Sequence, residues 1–400
     1  MSEIEQCIRL HYSKAQAALI RRLGNVSMAQ DAMQDAIAVA LEKWPEQGVP
    51  QHPAIWLVTV GLNRFRDDFR RQARFSAVDE SDQEQQGFEE LAAIEASLVE
   101  NDVLRLMFLC AHPALSAENQ LAMSLKFVAG LDTAVIAQAM LVPVKTIEQR
   151  ITRSKRKIVN SGIGFDFPLP SLLDARLPPV QSSLYLLFNA GYFGAEGELL
   201  DPLLCRQAIS LARALCRVYP DPENFGLLAL MLFHNARWKA RTDSQGRLVT
   251  LDNQDRSLWS KQCIVEADIM LQKSLRAGPP GQYQLQAAIT GVHCLADTAN
   301  ATNWQEIVGL YQLLLTIQNG PVIRLNYAVA LMMLGQTGAA ETLITELAPD
   351  LPHYAPYFAA FAKLKELQGK PEERRRALGK AVEFSTSRQE RSHYRALLEV

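Results

Sequence analysis

The chain has 400 residues, with 41 Lys and Arg against 43 Asp and Glu, and a formal net charge of −2. That length suits two or three domains with ample core. No signal peptide opens the sequence and no apolar run reaches membrane-spanning length, so a soluble, cytoplasmic protein without a membrane partner is expected. Six cysteines show neither CxxC nor metal-ligand spacing, and Cys110-Ala111-His112 is too isolated for a zinc site. The small net charge hides an asymmetry. It is +2 over residues 1–75, −9 over 76–102, +5 over 103–159 and zero over 160–400. A basic segment beside an acidic one, on a long neutral body, suggests a nucleic-acid module with a regulated or partner-bound tail.

In chain order, residues 5–23 predict an amphipathic helix ending near Gly24. Ser27 and Gln30 then have the spacing of a capping box. The helix they open runs to Trp44, where Pro45 is expected to stop it, and Ala32, Ala36, Ile37, Ala40, Leu41 and Trp44 form its buried stripe. Asp31, Gln34, Asp35 and Glu42 lie off that stripe, on either a solvated acidic face or one that meets a basic partner. A connector over 46–52, shaped by glycine and proline, leads into a third helix expected to bury Ile55, Trp56, Val60 and Phe65. Its second half gathers Arg64, Arg66, Arg70, Arg71 and Arg74 among Asn63, Phe65 and Phe69. That is either a charged helix end or a surface that holds phosphates and stacks on unpaired bases.

Residues 76–102 carry nine carboxylates and no Lys or Arg, the composition of a mobile linker. A helix over 117–128, capped by Ser116, precedes two short helices over 131–158. Thr133 can cap the first of these, whose apolar positions are Val135, Ile136, Ala139 and Met140; Leu141-Val142-Pro143 breaks it. In the second, Val144, Ile147, Ile151 and Ile158 share one face. Lys145, Thr146, Gln149, Arg150, Arg153, Arg156 and Lys157 fall largely on the other, as a helix in a DNA major groove requires.

Together these segments resemble a bacterial sigma factor of the sigma-70 family, extracytoplasmic-function type. Gln34-Asp35-Ala36 matches the family's QDA signature, and Asn63, Asp67, Arg70 and Arg71 match its N-x-x-x-D-x-x-R-R pattern, with the helix-turn-helix following in place. The resemblance implies an all-α chain with no catalytic or cofactor site, whose partners are core RNA polymerase and promoter DNA. Asp31, Gln34, Asp35 and Glu42 would face the polymerase. Asn63, Arg64, Arg66, Asp67, Arg70 and Arg71 would hold the −10 element. Lys145, Thr146, Gln149, Arg150 and Arg153 would read the −35 element, with Arg156 and Lys157 nearer phosphates. The domains expected are sigma2-like (1–75), acidic linker (76–102), sigma4-like helix-turn-helix (103–160), a second linker (161–180) and a helical-repeat body (181–400).

That last body exceeds what small sigma factors of this type carry. SLYLLFNAGYFGAEGELL resembles the junction of a subgroup with a large helical extension, although Ala190 replaces that subgroup's usual Glu. Leu325 and Ala359, Tyr327 and Phe361, Ala328 and Ala362, and Gly335 and Gly369 repeat at the tetratricopeptide period of 34 residues. Such repeats offer a groove to a protein or peptide partner, and Trp238, Trp259, Trp304 and Tyr311 read as packing residues. Two readings compete: an operator-binding helix-turn-helix regulator, which leaves residues 28–74 without a purpose, and a scaffold using only its repeats over 200–400, which leaves the basic helices idle.

Overall fold

Alanine-rich stripes set the packing at the start of the chain. A computed structural model describes residues 3–73, 101–140, 142–193, 201–276 and 278–399. Contacts divide it into two units, Met1–Phe188 with Arg206–Ala214, and Asn189–Cys205 with Leu215–Val400. Among the described residues no strand forms, and one antiparallel bridge pairs Thr242 with Leu248. The all-α expectation holds.

In the first unit, α1 (Glu3–Leu23), α2 (Val26–Gln47) and α3 (Pro53–Ala73) pack on one another. α2 buries Ala29, Ala32, Met33, Ala36, Val39, Ala40 and Trp44, small side chains that let its neighbours close in. At the tightest approach, a Cβ on Gly61 of α3 would stand 2.8 Å from the Ala32 carbonyl oxygen. This approach turns α3 so that Leu57 and Val58 point inward. Ile55, Trp56, Val60 and Phe65, expected in the core, are half-buried on its flank. Trp56 meets Trp44 edge-on with ring centroids 5.3 Å apart.

Three local expectations for α2 are corrected. Asn25, not Ser27, caps it, accepting from the Ser27 and Met28 amides at 2.8 and 3.1 Å. Pro45 does not stop the helix, because it falls in the last turn where its ring displaces only one bond; Gly48, at φ +80°, ends it. Leu41 is 47% exposed and leaves the buried stripe.

The rest of this unit begins with α4 (residues 101–110), then α5 (Ala117–Met123), which widens into a π-turn over Ser124–Val128. Ser116 stands at the start of α5 without a side-chain capping bond. α6 (Thr133–Ala139) and α7 (Val144–Asn160) follow. Asp132, not Thr133, caps α6, its carboxylate accepting from the Ala134 amide at 2.8 Å. Phe108, Met123, Phe127, Ile136, Ile147 and Ile151 are buried. The acidic stretch over 74–100 lies outside the described residues. Asp102, grouped with it by charge, instead sits inside α4, 4% exposed.

The second proposed linker is also shorter than its composition suggests. α8 (Leu173–Phe193) begins within it and carries Pro178 and Pro179. The carbonyls those prolines leave without a helical partner belong to Asp174 and Ala175, on an exposed turn open to solvent. Arg176 ties α8 to α4 by donating to the Phe108 carbonyl at 2.9 Å. Part of α9 (Pro202–Val218) also belongs to this unit, with Gln207 donating to the Val128 carbonyl at 2.6 Å.

The second unit is built from antiparallel helix pairs: α10 (Pro222–Ala236), α11 (Lys261–Ser274), α12 (Gln282–Leu295), α13 (Trp304–Ile317), α14 (Pro321–Met333), α15 (Thr337–Glu346), α16 (Ala355–Leu367), α17 (Pro371–Phe384) and α18 (Arg388–Leu398). α14 and α16 start 34 residues apart, as do α15 and α17, so the sequence repeat is a repeat of helical hairpins. Gly335 and Gly369, at φ +85° and +67°, make the equivalent turns in the two hairpins. Trp259 is buried, and Trp238, Trp304 and Tyr311 are half-buried among their neighbours.

Candidate nucleic-acid interface

The apolar face of α7 fixes what its polar face presents. Ile147, Ile151, Ser154 and Ile158 point inward. Lys145, Gln149, Arg153, Arg156 and Lys157 are exposed, whereas Thr146 and Arg150 are half-buried along the side. Val144, expected to join the apolar face, is 42% exposed in the first turn of α7. The turn is closed by a bond from the Val142 amide to the Ala137 carbonyl at 3.0 Å, and Pro143 starts the new helix. This is a helix-turn-helix with an exposed basic second helix.

Lys157 donates one of its three ammonium N–H groups to the Ala114 carbonyl, which orients its exposed side chain and leaves two donors toward solvent. The same turn holds His112, whose Nδ1 accepts from the Ala114 amide at 3.1 Å. Burial, with Arg176 and Lys157 nearby, keeps that imidazole below its usual pKa and neutral, as the acceptor role requires.

On α2, Asp31, Gln34, Asp35 and Glu42 are all exposed along one face, together with Met28 and Leu41. Acidic groups interleaved with apolar ones make a surface fit for a basic, partly apolar partner. On α3, Arg64, Arg66 and Asp67 are exposed and Asn63 is half-buried. The side chains of Arg70 and Arg71 lie outside the described residues.

These faces share one unit, and sequence reasoning missed what joins them. Lys155 of α7 donates to the Gln30 side chain of α2 at 3.0 Å. Asp102 of α4 takes Arg21 of α1 at 3.2 Å and Arg105 at 2.6 Å. Gly130 presses on Tyr12 of α1, so that a Cβ there would lie 2.7 Å from the ring. Lys155 sits between the apolar and basic faces of its helix, and no periodicity marks such a position.

Residues 7–75 match the family described as Sigma-70 region 2, and residues 105–158 match Sigma-70, region 4. The chain belongs to the sigma-70 family. Region 2 of this sigma-70 protein is the α1–α3 bundle, and its region 4 runs from α4 into the helix-turn-helix. Residues 176–275 match a further family, described as a family of unknown function (DUF6596). The chain is also 39% identical over 394 residues to "Uncharacterized protein R00370" of Rhizobium meliloti (strain 1021), across 96% of this chain and 93% of that one. No solved structure matches it. Regions 2 and 4 together make this a sigma-factor-like protein of transcription initiation, with a helical body following them.

Proposed function

We propose that this chain is a sigma factor of the extracytoplasmic-function type, which binds core RNA polymerase in the cytoplasm and directs it to a set of promoters. One observation carries the reading: a single chain joins region 2 to region 4, with the α2, α3 and α7 faces all exposed. In this reading Asp31, Gln34, Asp35 and Glu42 meet the polymerase. Asn63, Arg64, Arg66, Asp67, Arg70 and Arg71 hold the −10 element. Lys145, Thr146, Gln149, Arg150 and Arg153 read the −35 element, with Arg156 and Lys157 beside phosphates. Catalysis belongs to the polymerase, and the chain works by binding.

The helical body acts on that module in cis or through a protein or peptide seated on its repeats. Hairpins 34 residues apart are the repeat from which concave surfaces for such partners are built. An operator-binding regulator is the second reading, and the helix-turn-helix favours it equally. Purified full-length protein, mixed with core polymerase, decides between them. A sigma factor co-elutes with core enzyme and makes transcription start at specific promoters, whereas a plain regulator binds its operator tightly and leaves core enzyme alone.

A further inference from the structure

The exposed surface of α7 holds two residues to which no role has yet been given. Ile147, Ile151 and Ile158 define the inward direction. At ~100° per residue the opposite direction passes through Lys145, Gln149, Thr152 and Arg156. Thr152 is therefore central to the surface that enters a groove, and it is exposed. Glu148 lies one turn before it, also exposed. It is the one carboxylate on a helix that carries six Lys and Arg.

Glu148 pairs with none of those cations: among the described residues it makes no ion pair and no hydrogen bond. A free carboxylate here opposes DNA binding, because phosphates repel it. Such a group contributes to DNA recognition by accepting a hydrogen bond from an exocyclic amino group in the major groove. Cytosine N4 suits it better than adenine N6, whose neighbouring N7 lone pair repels a second carboxylate oxygen. Gln149, its neighbour, has the complementary preference, pairing with the N6 and N7 edge of adenine.

We infer that Glu148 is a specificity-determining residue that selects cytosine at one position of the −35 element, with Thr152 touching the adjacent base. The inference rests on the sigma-factor reading and adds to it a base identity. It requires Glu148 to remain unpaired, as it is, since a bridge to Arg150 or Lys145 would occupy its lone pairs.

The test is transcription by full-length protein with core polymerase, from promoters carrying each of the four bases at every −35 position. The natural protein is expected to favour cytosine at one position by about 5- to 150-fold, the span of a good base contact. Glu148→Ala should flatten that position to within about twofold and leave the others unchanged, while raising affinity for unrelated duplex as a repulsive charge is lost. Glu148→Gln should move the preference at that position toward adenine. Thr152→Ala should weaken discrimination at the neighbouring position alone. Strong −35 preferences that Glu148→Ala leaves untouched would overturn the inference while leaving the sigma-factor reading standing. Absence of any −35 preference in the natural protein would instead bring down that reading.

Discussion

The contact between Gly130 and Tyr12 gives the most direct check on how regions 2 and 4 are joined. Gly130 has φ +68°, and a methyl group on it would stand 2.7 and 2.9 Å from two ring atoms of Tyr12. Gly130→Ala therefore carries two costs. The left-handed backbone costs an alanine about 1–2 kcal/mol, offset by ~0.4–1 kcal/mol from the stiffer unfolded chain. Forcing a methyl into an occupied space adds about 1–3 kcal/mol. Gly162 separates the two, since it has φ +60° with nothing within 4 Å of its Cβ position. Gly162→Ala should thus cost roughly 1 kcal/mol or less, and Gly130→Ala about 1–3 kcal/mol more. In a unit of this size that difference is a shift in melting temperature of about 2–12 °C. Hydrogen exchange of α1 peptides and of peptides over 124–131 should show the loss on both sides of the contact. Adding Tyr12→Ala should bring the penalty of Gly130→Ala back to the Gly162 level. Equal penalties at Gly130 and Gly162 would mean that α1 does not lie where the structure puts it, and the joined unit would fall with it.

Other expectations are quicker to state. Asp35→Arg should abolish co-elution with core polymerase while leaving the melting temperature within a degree or two, because Asp35 is exposed and a like-charge clash costs several kcal/mol at an interface. Gln149→Ala should relax preference at one −35 position by about 1–3 kcal/mol, whereas Arg153→Ala should weaken all promoters and lower the salt slope by about one; footprinting across a salt series tells them apart. Asp102→Ala should destabilise region 4 by about 1 kcal/mol, since it takes the buried acceptor from the part-buried Arg105, whereas Arg21, 51% exposed, can turn to water. In the second unit, hydrogen bonds from Lys365 and Gln368 hold the Glu341 carboxyl below its usual pKa. Its contribution is therefore present above about pH 4.3 and fades as pH falls through the lowered value. Urea midpoints of the natural protein and Glu341→Gln should converge in acid and separate at neutral pH. A chain cut after Ser161 should be poorly soluble, because it lacks α8 and the α9 residues that belong to the first unit.

Much of this was legible in the sequence because it depends on spacing. The exposed set on α2 followed from a 3.6-residue stripe, and the paired hairpins followed from a 34-residue period. What escaped depended on contacts distant in the chain or on competition between near neighbours. Asn25 outcompetes Ser27 as a cap because its side-chain carbonyl reaches two amides, and Asp132 outcompetes Thr133 by standing one residue earlier, where its carboxylate reaches the Ala134 amide. Gly61 turns α3 by its approach to a carbonyl of another helix, which no pattern within α3 reveals. Lys155, Asp102 and Tyr12 act through partners 81 to 125 residues away for the ion pair and the lysine bond. Composition misled at residues 173–180, where two prolines were read as linker and stand in a helix.

The membership of Arg206–Ala214 in the first unit bears on how the protein is made. Ala208, Ile209, Leu211, Ala212 and Ala214 are buried there, so the core that holds the helix-turn-helix is incomplete until they leave the ribosome. Translation at 5–20 residues per second puts them roughly 3–11 s behind Ile158. During that interval the nascent first unit exposes apolar surface that its own later residues will cover. A ribosome stalled between these points would hold a region 4 that cannot finish folding, so completion of the first unit is timed by synthesis of residues that follow it by about fifty positions.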